Sequence, residues 1–392
     1  MRGNPDARQG AIALHGFYFL YYGLQGVSIP FLPLWFASRG LDPAMIGVIV
    51  ATSFLPKILS TPVVAHVADQ TGRAHALIAS ALAASLVLFI CYPFMHGAGW
   101  LLGITLLLNA VFPAVLPLMD RMAIASGRAQ GNSYTVMRAC GSLGFAVVTL
   151  AGGYLIKTFD ADWVMWLSIL LIVACLACVR LLPRAGRPAS GETLGRPVRL
   201  PMLEVVRNRP LLMCIGAASL VQASNGFLYS YSTLYWTASG LSTAVISMLW
   251  VVGVISEVLF FFLAPKILAR IGAQWLILAS AVMTAIRWAG LSATTDPAQM
   301  AALQVLQCFT LAGNNAAIIW YITRHVPAAC KTSAIALYAL LSGGVFMFAS
   351  IQLGGALYRS YAPAGFMTMA ACAACAIPLV LCAEKQRPKP NT

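Results

Sequence analysis

Charge is what this chain has least of. Only 9% of its 392 residues are charged, and acids number just 11. A soluble chain of this length needs roughly 25% charged residues to cover its surface. A water-soluble globular protein is therefore excluded. Catalytic signatures are missing too. There is no G-x-S-x-G, no H-E-x-x-H and no P-loop, and the five histidines are scattered. Ten cysteines are present, but nearly all lie inside apolar runs. The pairs Cys175/Cys178 and Cys372/Cys375 have no second ligand pair nearby, so they read as small packing residues rather than a zinc site or a disulfide framework. No enzyme, metal site or cofactor is expected.

What is there is apolar length. Hydrophobic residues make up 60% and mean hydropathy is +0.82. Twelve apolar spans can be read, over 11–36, 44–67, 75–95, 98–122, 133–157, 162–183, 210–236, 243–265, 273–291, 297–323, 332–357 and 362–383. Most reach the ~20 residues that a bilayer requires. The first run is long enough to span, so no cleavable signal peptide is expected.

The net charge of +14 is a topology signal. The odd-numbered loops carry only Arg39, Lys157 and Arg359. Lys57, Arg138 and Arg287 lie within spans. All other Lys and Arg fall in the tails, in the even-numbered loops or, like Arg121 and Arg180, at the span ends that border them. That asymmetry places both termini and the middle loop in the cytoplasm. It favours contacts with anionic lipids and argues against a nucleic-acid partner. A Pro/Gly/Arg-rich stretch, 184–209, divides the chain into 1–183 and 210–392, each with six spans.

The halves resemble each other. Residues 34–80 align with 234–280 at an offset of 200 without a gap, and Gly40, Leu41, Leu59 and Gly72 recur as Gly240, Leu241, Leu259 and Gly272. In that frame Lys57 falls opposite Glu257. Both interrupt apolar runs, where an unpaired charge is costly. Duplicated halves with an ionisable residue at one depth suggest a transporter. Arg287, Asp120 and Arg138 are further charges in or near spans. Each of these can equally be part of a structural ion pair. Polar and aromatic residues collect in span 1 (Tyr18, Tyr21, Tyr22, Gln25), span 7 (Gln222, Asn225, Tyr229, Tyr231) and span 10 (Gln307, Thr310, Asn314, Asn315). Gln222, Asn225 and Tyr229 share one helical face. A wet cavity and interhelical hydrogen bonds explain such residues equally well.

The loop after span 2 reads Asp69-Gln-Thr-Gly72-Arg73. Between spans 2 and 3 of twelve it matches the core of the signature loop of the major facilitator superfamily. The simplest role for Asp69, Gly72 and Arg73 is a conformational latch without substrate contact. The chain resembles that superfamily along its length, and within it the proton-linked 3-phenylpropionate transporter branch related to lactose permease. The matching stretches are Pro30-Phe31 with Trp35, Pro117 to Asp120, Val136 to Ser142, Glu257, Arg287-Trp288 and Ala293 to Thr295.

The resemblance implies an all-α membrane protein of two pseudo-symmetric six-helix bundles, working as a monomer by alternating access. It implies sugar-binding counterparts for Asp120 and Arg138 and a proton-coupling counterpart for Arg287. Gln307 and Thr310 stand where lactose permease has a His and a Glu, which removes that route of proton coupling. Lys57 resembles a basic residue of the phenylpropionate branch and favours an anionic cargo. The expected function is proton-coupled uptake of a small organic anion, such as an aromatic carboxylate. Lys57 and Arg138 would hold the carboxylate, with Glu257 and Arg287 handling the proton. A proton/sugar or nucleoside symporter, a broad drug or siderophore transporter, and a non-transporting sensor are the alternatives.

Overall fold

The computed structural model describes residues 5–130, 134–182, 201–358 and 361–385. Among the described residues it is helical, without strands. Ten helices are long and apolar enough to cross a membrane: Pro43–Ala68, Ala74–Phe94, Ala98–Ile124, Val136–Thr158, Arg209–Ala238, Thr243–Ile271, Ala273–Ala293, Pro297–His325, Ala328–Tyr358 and Ala364–Lys385. Two more apolar helices are Pro5–Ser38, of 34 residues, and Trp163–Val179, of 17. The chain is a multi-pass membrane protein. In hydrocarbon every backbone amide must find its partner within the segment, which is why helices carry the crossings.

The internal repeat is written into the helix ends. Helices Pro43–Thr71 and Thr243–Ile271 each run 29 residues, displaced by the same 200 positions seen in the sequence. Each is preceded by a glycine at positive φ, Gly40 at 80° and Gly240 at 90°. Each is followed by another, Gly72 at 64° and Gly272 at 78°. Glycine populates that region without steric cost. The N–H of Gly72 donates to Ala68 O at 2.9 Å, and that of Gly272 to Leu268 O at 3.0 Å, closing the last turn alike. The first copy also starts with Pro43 after Asp42, whose carboxylate accepts from Ala44 N at 3.1 Å.

The chain divides into two compact units, residues 1–193 with 240–251, and 194–239 with 252–392. Within the first, helices Pro5–Ser38 and Tyr134–Thr158 lie backbone to backbone. A Cβ on Gly26 or Gly144 would collide with main-chain atoms of Phe145 or Phe19. Thr149 Oγ1 donates across the seam to Gly26 O at 2.8 Å. Small residues serve membrane helices in this way, because lipid supplies no hydrophobic force between them.

Within the second unit an apolar core joins Leu211 and Ile215 to Leu276 and Ile277, Ile318 and Ile322, and Val380. Three single π-helical turns interrupt its helices, Leu228–Ser232, Phe309–Gly313 and Leu341–Val345. The expected linker 184–209 lies outside the described residues up to 200. Its remainder is not extended: Pro201–Arg207 is a short helix. It stops at Asn208, whose side chain caps the next helix by accepting from Leu211 N at 3.1 Å.

Candidate functional site

Two polar clusters stand out, one in each unit, and both sit on helices that are otherwise apolar.

The first cluster grows from the glycine seam. Tyr18 and Tyr22 are one turn apart on Pro5–Ser38, and their rings stack at 6.4 Å. Gly141 on the facing helix makes room for Tyr22, since a Cβ there would come within 2.6 Å of its ring. The Tyr18 hydroxyl donates to Asp120 Oδ1. Arg138 Nη1 donates to the Tyr22 hydroxyl, and its guanidinium lies 5.2 Å from that ring's centroid. Arg138 and Asp120 approach to 4.0 Å, with side chains 43% and 26% exposed. The Tyr134 hydroxyl bonds both Asp120 and Arg138, so three phenols surround this loosely paired acid and base, and both charges keep access to solvent or ligand. Gln25, one turn further along the same helix, is half-buried.

Lys57 sits at the same register of Pro43–Thr71 as Glu257 does of Thr243–Ile271. Its ammonium lies 4.1 Å from the centroid of the Phe54 ring. Among the described residues it has no ion-pair partner. A cation–π contact satisfies only part of an ammonium's demand for acceptors.

The second cluster centres on Arg287, which is fully buried. Its Nε and Nη2 donate to Gln304 Oε1 at 3.1 and 2.6 Å. Nη2 also donates to Gln307 Oε1 at 2.5 Å, and Nη1 reaches Thr310 Oγ1 at 3.5 Å. Gln307 Nε2 in turn donates to Glu257 Oε1 at 2.5 Å. The guanidinium plane rests on Trp288, 4.1 Å away. Trp288 is itself fixed by a 2.9 Å bond from Nε1 to Ser224 Oγ and by stacking on Phe366. A buried arginine held by neutral amides keeps its charge uncancelled, unlike one locked in an ion pair. Glu257 and Arg287 communicate through Gln307.

The other expected site residues are placed as follows. Tyr229 lies half-buried in the π turn Leu228–Ser232. Asn225 donates to Gln222 O at 2.9 Å on its own helix. Asn314 donates across to Ala218 O at 2.8 Å. The side-chain oxygens of Gln222, Asn225 and Asn314 are buried and without a partner among the described residues. Asn315 accepts from the Tyr338 hydroxyl at 2.6 Å and lines an open, mostly apolar groove with Phe261, Ile319 and Trp320. In the loop motif, Gly72 makes the left-handed turn and Arg73 is exposed, while the side chain of Asp69 lies outside the described residues.

Of the two amides on Arg287, Gln307 is among the polar residues that the sequence collects in span 10, and Gln304 is not. Their i, i+3 spacing was the available signal. It puts both amides on one helical face, but not against an arginine of another helix.

The family model described as MFS_1 like family matches residues 11–368. The chain is 27% identical over 356 residues to the probable 3-phenylpropionic acid transporter of Escherichia coli K12, covering 89% of each. It is 25% identical to the maltose permease of Geobacillus stearothermophilus, covering 88% of this chain and 87% of that one. Its fold is shared with the crystal structure of the nucleoside transporter NupG at a TM-score of 0.84, covering 96% and 99% with 14% identity. Buried charges on duplicated apolar helices and these likenesses agree, and this chain belongs to the MFS_1 like family of secondary transporters, not enzymes.

Proposed function

We propose that the protein imports a small organic anion, of the aromatic-carboxylate class, together with a proton. The observation that carries this is Lys57, a cation within an apolar helix with no acid beside it among the described residues. Keeping such a charge at mid-helix costs roughly 2.5–3.5 kcal/mol. A substrate carboxylate offsets that cost, and a neutral substrate does not. Likeness to a probable 3-phenylpropionic acid transporter supports the same cargo.

In this reading Lys57, aided by Arg138 beside Asp120, holds the carboxylate. Tyr18, Tyr22 and Tyr229 pack the apolar body, and Gln25, Gln222, Asn225, Asn314 and Asn315 supply neutral hydrogen bonds. Glu257 takes and releases the proton under the influence of Arg287. Asp69, Gly72 and Arg73 form the latch. The protein works as a monomer in the bacterial inner membrane, with both termini cytoplasmic and lipid around it. Its twelve spans form two six-helix bundles, 1–183 and 210–392, joined by 184–209. Alternating access is the rocking of such repeats about their site.

A second reading, a proton/sugar or nucleoside symporter, draws on the Tyr18–Asp120 and Tyr22–Arg138 bonds, which offer paired acceptors and donors to a neutral polyol. Uptake of labelled 3-phenylpropionate into proteoliposomes separates the two. Losing one charge-assisted contact of about 1.5–3 kcal/mol weakens binding roughly 10- to 100-fold. Lys57→Ala should therefore raise KM by that factor, and Glu257→Gln should abolish accumulation against a gradient. Wild-type kinetics in both variants would remove the assigned roles.

A further inference from the structure

Gln307 touches both charges of the second cluster. We infer that it is a positioning residue that conveys the state of Glu257 to Arg287, and that this chain couples its two buried charges through a neutral amide. The inference rests on Glu257 being the proton carrier proposed above.

The chemistry of the three groups fixes the orientation. An amide's oxygen and nitrogen usually look alike, and their assignment follows from the partners. Arginine has donors only. The end of Gln307 that meets Arg287 must therefore be the oxygen, and the NH2 end must meet Glu257. There it always offers a hydrogen and never accepts one. The Glu257 oxygen facing it is a charged acceptor before protonation and a weaker, neutral one after. A proton arriving at Glu257 therefore loosens the amide's hold on that side, and the amide is free to shift on Arg287.

The surroundings leave the amide little alternative. Gly253, one turn before Glu257, faces it. A Cβ there would lie 2.6 Å from Oε1 and 2.9 Å from Nε2. Gln304 takes the remaining inner face of the guanidinium, and Thr310, bonded to Thr284 at 2.9 Å, closes its far side. The charged or titratable groups within electrostatic reach are Glu257, Arg287, the phenol of Tyr229 and the thiol of Cys308.

The test uses full-length protein in proteoliposomes and compares two readouts. Counterflow exchanges labelled for unlabelled substrate and needs no net proton movement. Accumulation driven by an imposed pH gradient does. Gln307→Met keeps length and volume but removes both hydrogen bonds. It should keep counterflow within about threefold of wild type and lose gradient-driven accumulation at least tenfold. Gln304→Met removes the two bonds that Nε and Nη2 of Arg287 donate and should lower both readouts together, counterflow included. Equal loss of both readouts in Gln307→Met, or equal defects in Gln304→Met and Gln307→Met, would reduce Gln307 to packing and overturn the relay. Intact accumulation in Gln307→Met would do so too. If Glu257→Gln itself accumulates substrate normally, the proton-carrier reading fails first, independently of what Gln307 does.

Discussion

Gly253→Ala is a single methyl group whose effect can be worked from the geometry. The added Cβ would fall 2.6, 2.7 and 2.9 Å from Oε1, Cδ and Nε2 of Gln307. Real carbons do not approach so closely, so the amide must swing away. Bending the side chain is cheap in itself, but its bonds to Arg287 and Glu257 are then lost. Inside a membrane bundle such bonds contribute about 1–2 kcal/mol each, so the loss is about 2–4 kcal/mol. Alanine in a helix interior regains roughly 0.5–1 kcal/mol relative to glycine. Destabilisation wins by about 1–3 kcal/mol, or a fall in melting temperature of roughly 1–4 °C for a chain of this length. The assay is thermal unfolding of detergent-purified protein in two backgrounds, wild type and Gln307→Ala. Where the amide is already absent, the methyl group meets nothing it must displace, and Gly253→Ala should be neutral or slightly stabilising. The interaction term of this cycle isolates the steric displacement. Equal destabilisation in both backgrounds, or a raised melting temperature in the first, would refute the reasoning.

Further outcomes follow from the first unit. In a double-mutant cycle, Tyr18→Phe and Asp120→Asn should couple by about 1 kcal/mol or more in thermal stability, because the phenol donates to the carboxylate directly; additivity within error would contradict that bond. Gly144→Val should sharply lower folded yield and melting temperature, since its Cβ collides with the Phe19 backbone, which cannot rotate away. Gly103→Val, where a Cβ meets nothing within 4 Å, should be tolerated in the same assay, and a reversed order would contradict the seam.

The repeat was legible in the chain because its marks are local. Gly40, Gly72, Gly240 and Gly272 each serve a turn that only positive φ can make, and such residues show in an ungapped alignment. The shared register of Lys57 and Glu257 follows from the same frame. The stacking of Tyr18 on Tyr22 is one turn of helix, which spacing also announces. The Arg287 network was not legible. It brings together Glu257, Arg287 and Gln304 with Gln307 from three helices, and it exists because Gly253 is small on the side where the amide lies. Nothing in the spacing of glutamines says which buried charge they meet. The π turns were equally hidden, because one residue inserted in a helical ladder leaves hydropathy unchanged. The helix Pro201–Arg207 escaped notice because its stretch is rich in Pro and Arg, which reads as linker.

Gradient-driven uptake of labelled 3-phenylpropionate bears most directly on the account. The purified protein is reconstituted, the exterior is made acidic by about one pH unit, and the signal from empty liposomes, which the neutral acid crosses unaided, is subtracted. The account predicts several-fold accumulation that collapses when a protonophore is added. Accumulation of labelled maltose or uridine under the same gradient, with none of the anion, would contradict it.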